Sequence, residues 1–168
     1  MRRLILLRHA KSDRPPGVAD EDRPLAEKGR QASEVAGRFM AEKGLIPEFA
    51  LVSPSRRTRE TFELLRAAAG HDISSHEERR IYDGGTRGIL ETIRQTGDGI
   101  GSLLVVGHNP GIHQLALALV DDGETNALAR LRDGFPTAAL AVIDFPVSRW
   151  IEVAEQGGTL ERFERPAK

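Results

Sequence analysis

The chain has 168 residues, with 24 basic and 25 acidic side chains, a net charge of -1 and no cysteine. This length favours one domain over residues 1–168, and the balanced charge argues against a general nucleic-acid-binding surface. Without cysteine the chain has no disulfides and no thiolate metal site. Its apolar stretches are too short for a membrane span, so we expect a cytoplasmic protein that binds neither membrane nor nucleic acid.

In the first half of the chain, apolar runs predict two buried strands and charged, periodic segments predict helices. The run at residues 4–7 predicts a strand, which is followed by an exposed loop over 13–24 that is rich in proline and charge. A helix is predicted over 25–43 and a second strand over 49–52. We expect the next helix to begin with Ser53 as its cap and Pro54 at its first position.

The second half continues the alternation of strands and helices. We predict a strand end and turn over 80–85, a helix over 86–95, a strand over 103–106, a helix from Asn109-Pro110 to about 120, strands over 138–145 and 150–154, and an edge strand near 160–163. This order predicts a three-layer αβα fold of the α/β class. Its sheet should be mostly parallel, with antiparallel edge strands near the C-terminus.

Three predicted strands end in side chains that suit a phosphate group. The first ends in Arg8-His9, the second is followed by residues 53–57, and the third by residues 107–110. Because the carboxyl ends of parallel strands meet at one edge of a sheet, two histidines and two or more arginines can converge on one cavity. A neutral imidazole can attack phosphorus while arginines hold the equatorial oxygens, so the pattern indicates phosphoryl transfer. The five histidines lack metal-binding helical spacing, so no metal and no other cofactor is predicted.

Four short motifs, in this order, resemble those of the histidine phosphatase superfamily, which includes the cofactor-dependent phosphoglycerate mutases. Residues 6–12 resemble its Arg-His-Gly signature, with Ala10 in place of the glycine, and residues 24–29 resemble its Leu-Thr/Ser-x-x-Gly stretch. Residues 53–61 and 106–110 resemble its second motif and its second histidine motif. The resemblance covers nearly the whole chain. It implies a phosphoglycerate mutase-like fold and a phosphatase that carries a phosphohistidine intermediate.

The resemblance assigns roles to four residues. His9 corresponds to the phosphorylated nucleophile, Arg8 and Arg57 to the side chains that bind the phosphoryl oxygens, and His108 to the histidine that completes the pocket. These four residues are therefore the predicted centre of the active site.

Two further residues have both a functional and an ordinary structural interpretation. Ser12 falls where some members place an additional phosphate contact, but a hydrogen bond within its loop is an equal alternative. Asp83 has the best position for the general acid, and the alternative is a turn residue before two glycines. Arg57 competes with Arg56 and Arg59, and the register of the motif selects Arg57.

The length of one segment separates the branches of this family. Only 50 residues lie between Arg57 and His108, whereas the mutases carry a longer insertion that closes over the substrate. The short segment resembles the SixA-type protein phosphohistidine phosphatases, whose open site suits a phosphorylated protein. A small phosphate ester is the alternative substrate, which would make the chain a small-molecule phosphomonoesterase. A non-catalytic phosphoprotein-binding module is the alternative outside enzymes.

Overall fold

A computed structural model of the protein describes residues 1–168, and all seven strands belong to one sheet. The strands are β1 (Arg2–Arg8), β2 (Phe49–Val52), β3 (Ser74–Glu77), β4 (Ser102–Gly107), β5 (Val120–Gly123), β6 (Leu140–Phe145) and β7 (Gly158–Glu164). The α-helices are α1 (Glu27–Glu42), α2 (Arg56–Ala69), α3 (Arg79–Asp83), α4 (Gly85–Arg94), α5 (Gly111–Leu119) and α6 (Thr125–Asp133), and there are short 3-10 helices at Asp20–Asp22 and Trp150–Glu152. None of the helices combines the length and the apolar character that crossing a bilayer requires.

The sheet is mostly parallel, as predicted. Its strand order is β3-β2-β4-β1-β6-β7-β5. Only β6 runs against the others, and it pairs antiparallel with β1 on one side and with β7 on the other. The predicted antiparallel pairing near the C-terminus is thereby confirmed, and it lies inside the sheet between β1 and β7.

The two central strands explain why continuous apolar runs were visible in the sequence. All four residues of 4–7 and of 103–106 are at most 1% exposed. Their alternate side chains enter two separate cores, one on each face of the sheet. Helices α1 and α2 supply residues to one core, while α3, α4, α5 and α6 supply residues to the other. A strand that is covered on both faces is apolar at every position, which gives a continuous apolar run. Helices on both faces of the sheet confirm the predicted three-layer αβα fold.

Three elements differ from the sequence prediction. Helix α2 begins at Arg56 with Ser55 as its cap, because the Ser55 hydroxyl accepts a hydrogen bond from the Thr58 amide. Helix α3 occupies Arg79–Asp83, where a strand end and turn were expected over 80–85. The predicted strand at 150–154 contains a 3-10 helix instead, because the buried Trp150 is anchored by its indole N–H to the Ile100 carbonyl.

The edges of the sheet were harder to predict than its centre. Strand β7 was expected at an edge but is covered by β5, and the strand at the other edge is β3. Both edge strands are short and polar, with the sequences VDDG and SSHE. Because neither has an apolar run or a regular alternation, they gave no strand signal and were absent from the prediction, as was α6.

Candidate active site

The carboxyl ends of β1, β2 and β4 lie side by side and bring the three predicted motifs together. Strand β4 lies between the other two, and the register places Arg8 opposite Gly107. The His9 amide donates to the Gly107 carbonyl at 3.0 Å, and the Ser53 amide donates to the Val106 carbonyl at 3.1 Å. The sheet therefore continues one residue into each motif and fixes the position of the side chains that follow.

His9 is buried and held in one tautomer. Its Nδ1 atom lies 2.7 Å from the Ala10 carbonyl oxygen. Because a carbonyl can only accept, Nδ1 carries the hydrogen and Nε2 carries a free lone pair. Burial lowers the pKa of His9 to about 3, so the ring is neutral at physiological pH. A neutral imidazole with an unbonded Nε2 is the form that can attack phosphorus.

Helices α1 and α2 support the chain just after His9. The Ala10 amide donates to the Thr61 hydroxyl at 3.1 Å, and that hydroxyl donates to the Arg57 carbonyl at 2.7 Å. On the other side, a Cβ atom added to Gly29 would lie 2.0 Å from the Lys11 carbonyl oxygen. The glycine of the Leu-Thr/Ser-x-x-Gly stretch at residues 24–29 is therefore required for the close approach of α1 to this segment.

His108 lies next to His9, with 5.4 Å between the ring centroids. Its Nδ1 atom is 3.2 Å from Nη2 of Arg57, and a guanidinium only donates, so this nitrogen accepts. The other ring nitrogen then donates to the Ser53 hydroxyl at 2.8 Å. Burial, followed by the charge of Arg57, lowers the pKa of His108 to about 4. His108 is thus neutral in the free protein, and it is oriented by Ser53, which was predicted as a helix cap and as the serine of the second motif but was given no contact with His108.

Arg57 is the arginine of its motif that faces the two histidines. Its Nη1 donates to the Asp20 carbonyl at 2.7 Å, while its Nη2 is shared between the Asp20 carboxylate and His108, each at 3.2 Å. The Nε atom is buried and has no partner. Arg56 and Arg59 are exposed and contact Glu60 and a backbone carbonyl of the same helix start.

Arg8 is half-buried and has no carboxylate partner. Its Nη1 donates to the Phe135 carbonyl at 3.1 Å, and its buried Nε is unpaired. Burial lowers the pKa of Arg8, and the positive charges of Arg165 and Arg57 lower it further. Because the half-buried Arg8 has no counter-ion of its own, an anion beside it is favourable, and its position suits a bound phosphoryl group.

Asp20 is the main site residue that the sequence analysis missed. Its carboxylate accepts hydrogen bonds from the Tyr82 hydroxyl at 2.6 Å, from Arg57 at 3.2 Å and from Arg23 at 3.1 Å. These contacts, the tyrosine first, lower the pKa of Asp20 well below its usual range. Asp20 is therefore an ionised counter-ion of Arg57. Its only sequence signal was an acidic cluster in the loop that follows the first strand.

Ser12 and Asp83 lie at different distances from this centre. The Ser12 hydroxyl accepts a hydrogen bond from Arg23, the arginine that also binds Asp20, so Ser12 reaches the site through one intermediate side chain. Asp83 is exposed at the end of α3, and its ion-pair partner is Arg79 at 3.9 Å. No hydrogen bond or ion pair joins Asp83 to the central histidines and arginines. Its neighbour Tyr82 instead packs edge-on against His108, at 5.4 Å between centroids.

Comparison with known proteins agrees with this geometry. Residues 4–86 match the sequence model of the histidine phosphatase superfamily (branch 1). An uncharacterized protein of Mycobacterium tuberculosis (strain ATCC 25618 / H37Rv) is 33% identical over 162 residues, which are 95% of this chain and 99% of that protein.

Two solved structures are similar over nearly the whole chain. The putative phosphohistidine phosphatase SixA from Agrobacterium tumefaciens has a TM-score of 0.81 and 29% identity, with 97% of each chain covered. The putative phosphohistidine phosphatase SixA from Nakamurella multipartitia has a TM-score of 0.78 and 28% identity, with 97% of this chain and 95% of the other covered. The chain belongs to the histidine phosphatase superfamily, in its SixA-type branch, and is a phosphatase.

Proposed function

We propose that this protein is a metal-independent phosphatase that hydrolyses protein phosphohistidine through a phosphorylated His9. The observation that carries the proposal is the state of His9, which is a buried, neutral imidazole with a free Nε2 atom next to cationic side chains. A single domain formed by residues 1–168 and a cytoplasmic location belong to the same proposal, and the lack of cysteine agrees with that location.

The reaction proceeds in two displacements at phosphorus. The lone pair of Nε2 of His9 attacks, and the bond between phosphorus and the substrate nitrogen breaks with its electron pair moving to the leaving imidazole. Arg8 and Arg57 donate to the equatorial oxygens during this step, and His108 does so after its Nδ1 has taken up a proton as the phosphoryl group binds. Water then attacks the phosphorus on His9, which releases inorganic phosphate and regenerates the free imidazole.

The site suits a nitrogen leaving group better than an oxygen leaving group. An imidazole leaves readily once it is protonated, so it makes little demand on a general acid. Asp83, the predicted acid, is exposed and paired with Arg79, and the ionised Asp20 has no proton to give. A phosphohistidine substrate, which can take its proton from solvent, is compatible with both facts.

The absence of an inserted lid supports a protein substrate. The residues between Arg57 and His108 form the rest of α2, then β3, α3, α4 and β4, which are strands of the sheet and the helices that cover it. The two similar structures described above bear the name putative phosphohistidine phosphatase. A site bordered in this way can accept a phosphorylated side chain on the surface of another protein.

The test is to trap the phosphoenzyme and to compare substrates. Wild type is mixed with labelled phosphoramidate or a phosphohistidine protein in the presence of a chelator, and acid-labile label on the enzyme is measured after rapid quench. His9→Ala should lose at least about a thousandfold in turnover and all trapped label, while its circular dichroism spectrum and melting temperature stay close to wild type. Turnover by His9→Ala close to wild type, or a strict need for a divalent ion, would refute the mechanism. Much faster hydrolysis of sugar or nucleotide phosphates would instead identify a small-molecule phosphomonoesterase.

A further inference from the structure

A wide cavity opens directly beside Arg8. Its volume is about 870 Å³, and it lies between the end of β1, the end of α6 and the end of β7. A phosphoryl group fills only a small part of such a space, because cavities of this size hold whole ligands. The cavity, called the side groove here, therefore has room for the part of a substrate that adjoins its phosphoryl group.

The side groove has more cationic than anionic side chains. Four cationic side chains line it, namely Arg8, Arg130, Arg165 and Lys168. None of the four forms an ion pair. This differs from Arg57, whose charge Asp20 balances. A cluster of unpaired cations is held together at an electrostatic cost, which an anionic ligand would remove.

The two acidic side chains in the groove do not cancel this charge. Glu164 is already paired with Arg162 at 3.2 Å, and the exposed carboxylate of Asp133 offsets at most one of the four positive charges. The charge of Arg165 is close enough to lower the pKa of Arg8. The groove thus remains cationic up to the point where the proposed reaction takes place.

The wall next to Arg8 is rigid and also has unused polar groups. The Phe135 carbonyl accepts hydrogen bonds from both Arg8 and Asn109, at 3.1 and 2.9 Å. The Phe135 ring packs edge-on against Phe163, with 5.1 Å between centroids. Nε of Arg8 and Oδ1 of Asn109 are buried without partners. A ligand that enters the groove therefore meets a fixed aromatic and polar wall rather than loose side chains.

We propose that the side groove binds an acidic segment of the phosphorylated protein, next to its phosphohistidine, through Arg165 and Lys168. This inference rests on the proposed function. It adds that the partner protein is acidic next to its phosphohistidine. Both side chains are exposed. Arg165 uses Nε and Nη2 on the backbone carbonyl and hydroxyl of Thr137, which leaves its Nη1 free for a carboxylate.

The test measures binding of two peptides that carry a non-hydrolysable phosphohistidine analogue, phosphoryltriazolylalanine. One peptide has two glutamates near the analogue, and the other has glutamines at those positions. Wild type should bind the acidic peptide about fivefold more tightly, which corresponds to about 1 kcal/mol. In Arg165→Gln/Lys168→Gln the two peptides should bind with about the same affinity, a ratio of about one. Turnover of phosphoramidate by this variant should stay within about twofold of wild type.

A matched control removes the same total charge elsewhere. Arg87 and Lys43 are exposed on α4 and after α1, and neither lines the groove. Arg87→Gln/Lys43→Gln should keep the full preference for the acidic peptide. Equal peptide affinities in wild type, or an unchanged preference in Arg165→Gln/Lys168→Gln, would overturn the inference. A third outcome would also overturn it. If Arg165→Gln/Lys168→Gln lost turnover of a small bisphosphate ester but bound both peptides as wild type does, the groove would serve small esters.

The peptide measurement does not depend on turnover. If wild type failed to hydrolyse phosphoramidate and phosphohistidine protein, the proposed function would fail whatever the peptide preference. If wild type hydrolysed both substrates but showed no preference between the peptides, only the role of the side groove would fail.

Discussion

Replacing Asp20 with asparagine is expected to tighten the binding of oxyanions. In the free protein both hydrogens of Nη2 of Arg57 are in use, one on the Asp20 carboxylate and one on His108. A tetrahedral anion that binds Arg57 in a bidentate manner, through Nη1 and Nη2 or through Nε and Nη2, needs one of these hydrogens. Asp20 therefore competes with the phosphoryl group for Arg57. Asparagine keeps an acceptor for Tyr82 but removes the negative charge.

The expected size of the effect follows from two small terms. The Asp20 side chain is 52% exposed, so its ion pair with Arg57 is screened by water and contributes about 0.5 to 1 kcal/mol. Repulsion between a carboxylate and an anion a few ångströms away adds about 1 kcal/mol in a water-like dielectric. Removing about 1 to 2 kcal/mol of opposition should raise the affinity for sulfate or tungstate about five- to thirtyfold.

The assay is isothermal titration of sulfate and tungstate into wild type, Asp20→Asn and Glu21→Gln. Glu21 is the matched control because it is the next residue and also carries a carboxylate, but its ion-pair partner is Arg79. Glu21→Gln should change the affinity little, so a gain restricted to Asp20→Asn is a local effect rather than one of net charge. Weaker oxyanion binding by Asp20→Asn would contradict this reasoning and would make Asp20 a residue that positions Arg57.

Three further predictions concern proton supply, pH and packing. If Asp83 is the general acid, Asp83→Asn should slow hydrolysis of an alkyl phosphate about tenfold or more and leave phosphoramidate nearly unaffected; equal effects in steady-state assays on both substrates would contradict that role. A bound dianion should raise the pKa of His108 above its free value of about 4, so affinity for sulfate should be highest at and below that pH and fall up to about tenfold per unit as pH rises, until His108 is neutral in the complex as well. Titration calorimetry should find this slope in wild type and lose it in His108→Gln; a flat wild-type profile would refute the coupling. Gly29→Ala should destabilise the fold by about 2 kcal/mol in urea melts, because its Cβ would lie 2.0 Å from the Lys11 carbonyl oxygen, whereas Gly97→Ala, with open space around it, should have little effect; equal melting behaviour of the two variants would contradict the close approach.

The centre of the fold was predictable because it is apolar on both faces. Strands β1 and β4 are continuous runs of leucine, isoleucine and valine, and each leads directly into a histidine motif. The rule that carboxyl ends of parallel strands share an edge then placed His9 and His108 together, as the 5.4 Å between their rings agrees. Pattern and topology were sufficient for these two residues.

The contacts made across the loops could not be predicted in the same way. Asp20 reaches Arg57 over a separation of 37 residues, and Tyr82 reaches Asp20 over 62. Neither contact has a periodicity or a fixed spacing, because it depends on how the segment with the short 3-10 helix Asp20–Asp22 folds back over the sheet edge. The polar edge strands β3 and β5 were not predicted for a related reason. Pairing with a neighbouring strand, rather than the pattern of their own side chains, makes them strands.

The hydrogen bond from the His9 amide to the Gly107 carbonyl places the nucleophile within the most protected part of the molecule. Strands β1 and β4 lie in the interior of the sheet, so this amide should exchange with solvent only when the whole domain opens. The carboxylate that faces Arg57 belongs instead to a surface segment with no sheet partner. The position of the nucleophile and the charge that opposes the oxyanion at Arg57 thus depend on different parts of the chain, so a change in the surface segment can alter oxyanion affinity without moving His9.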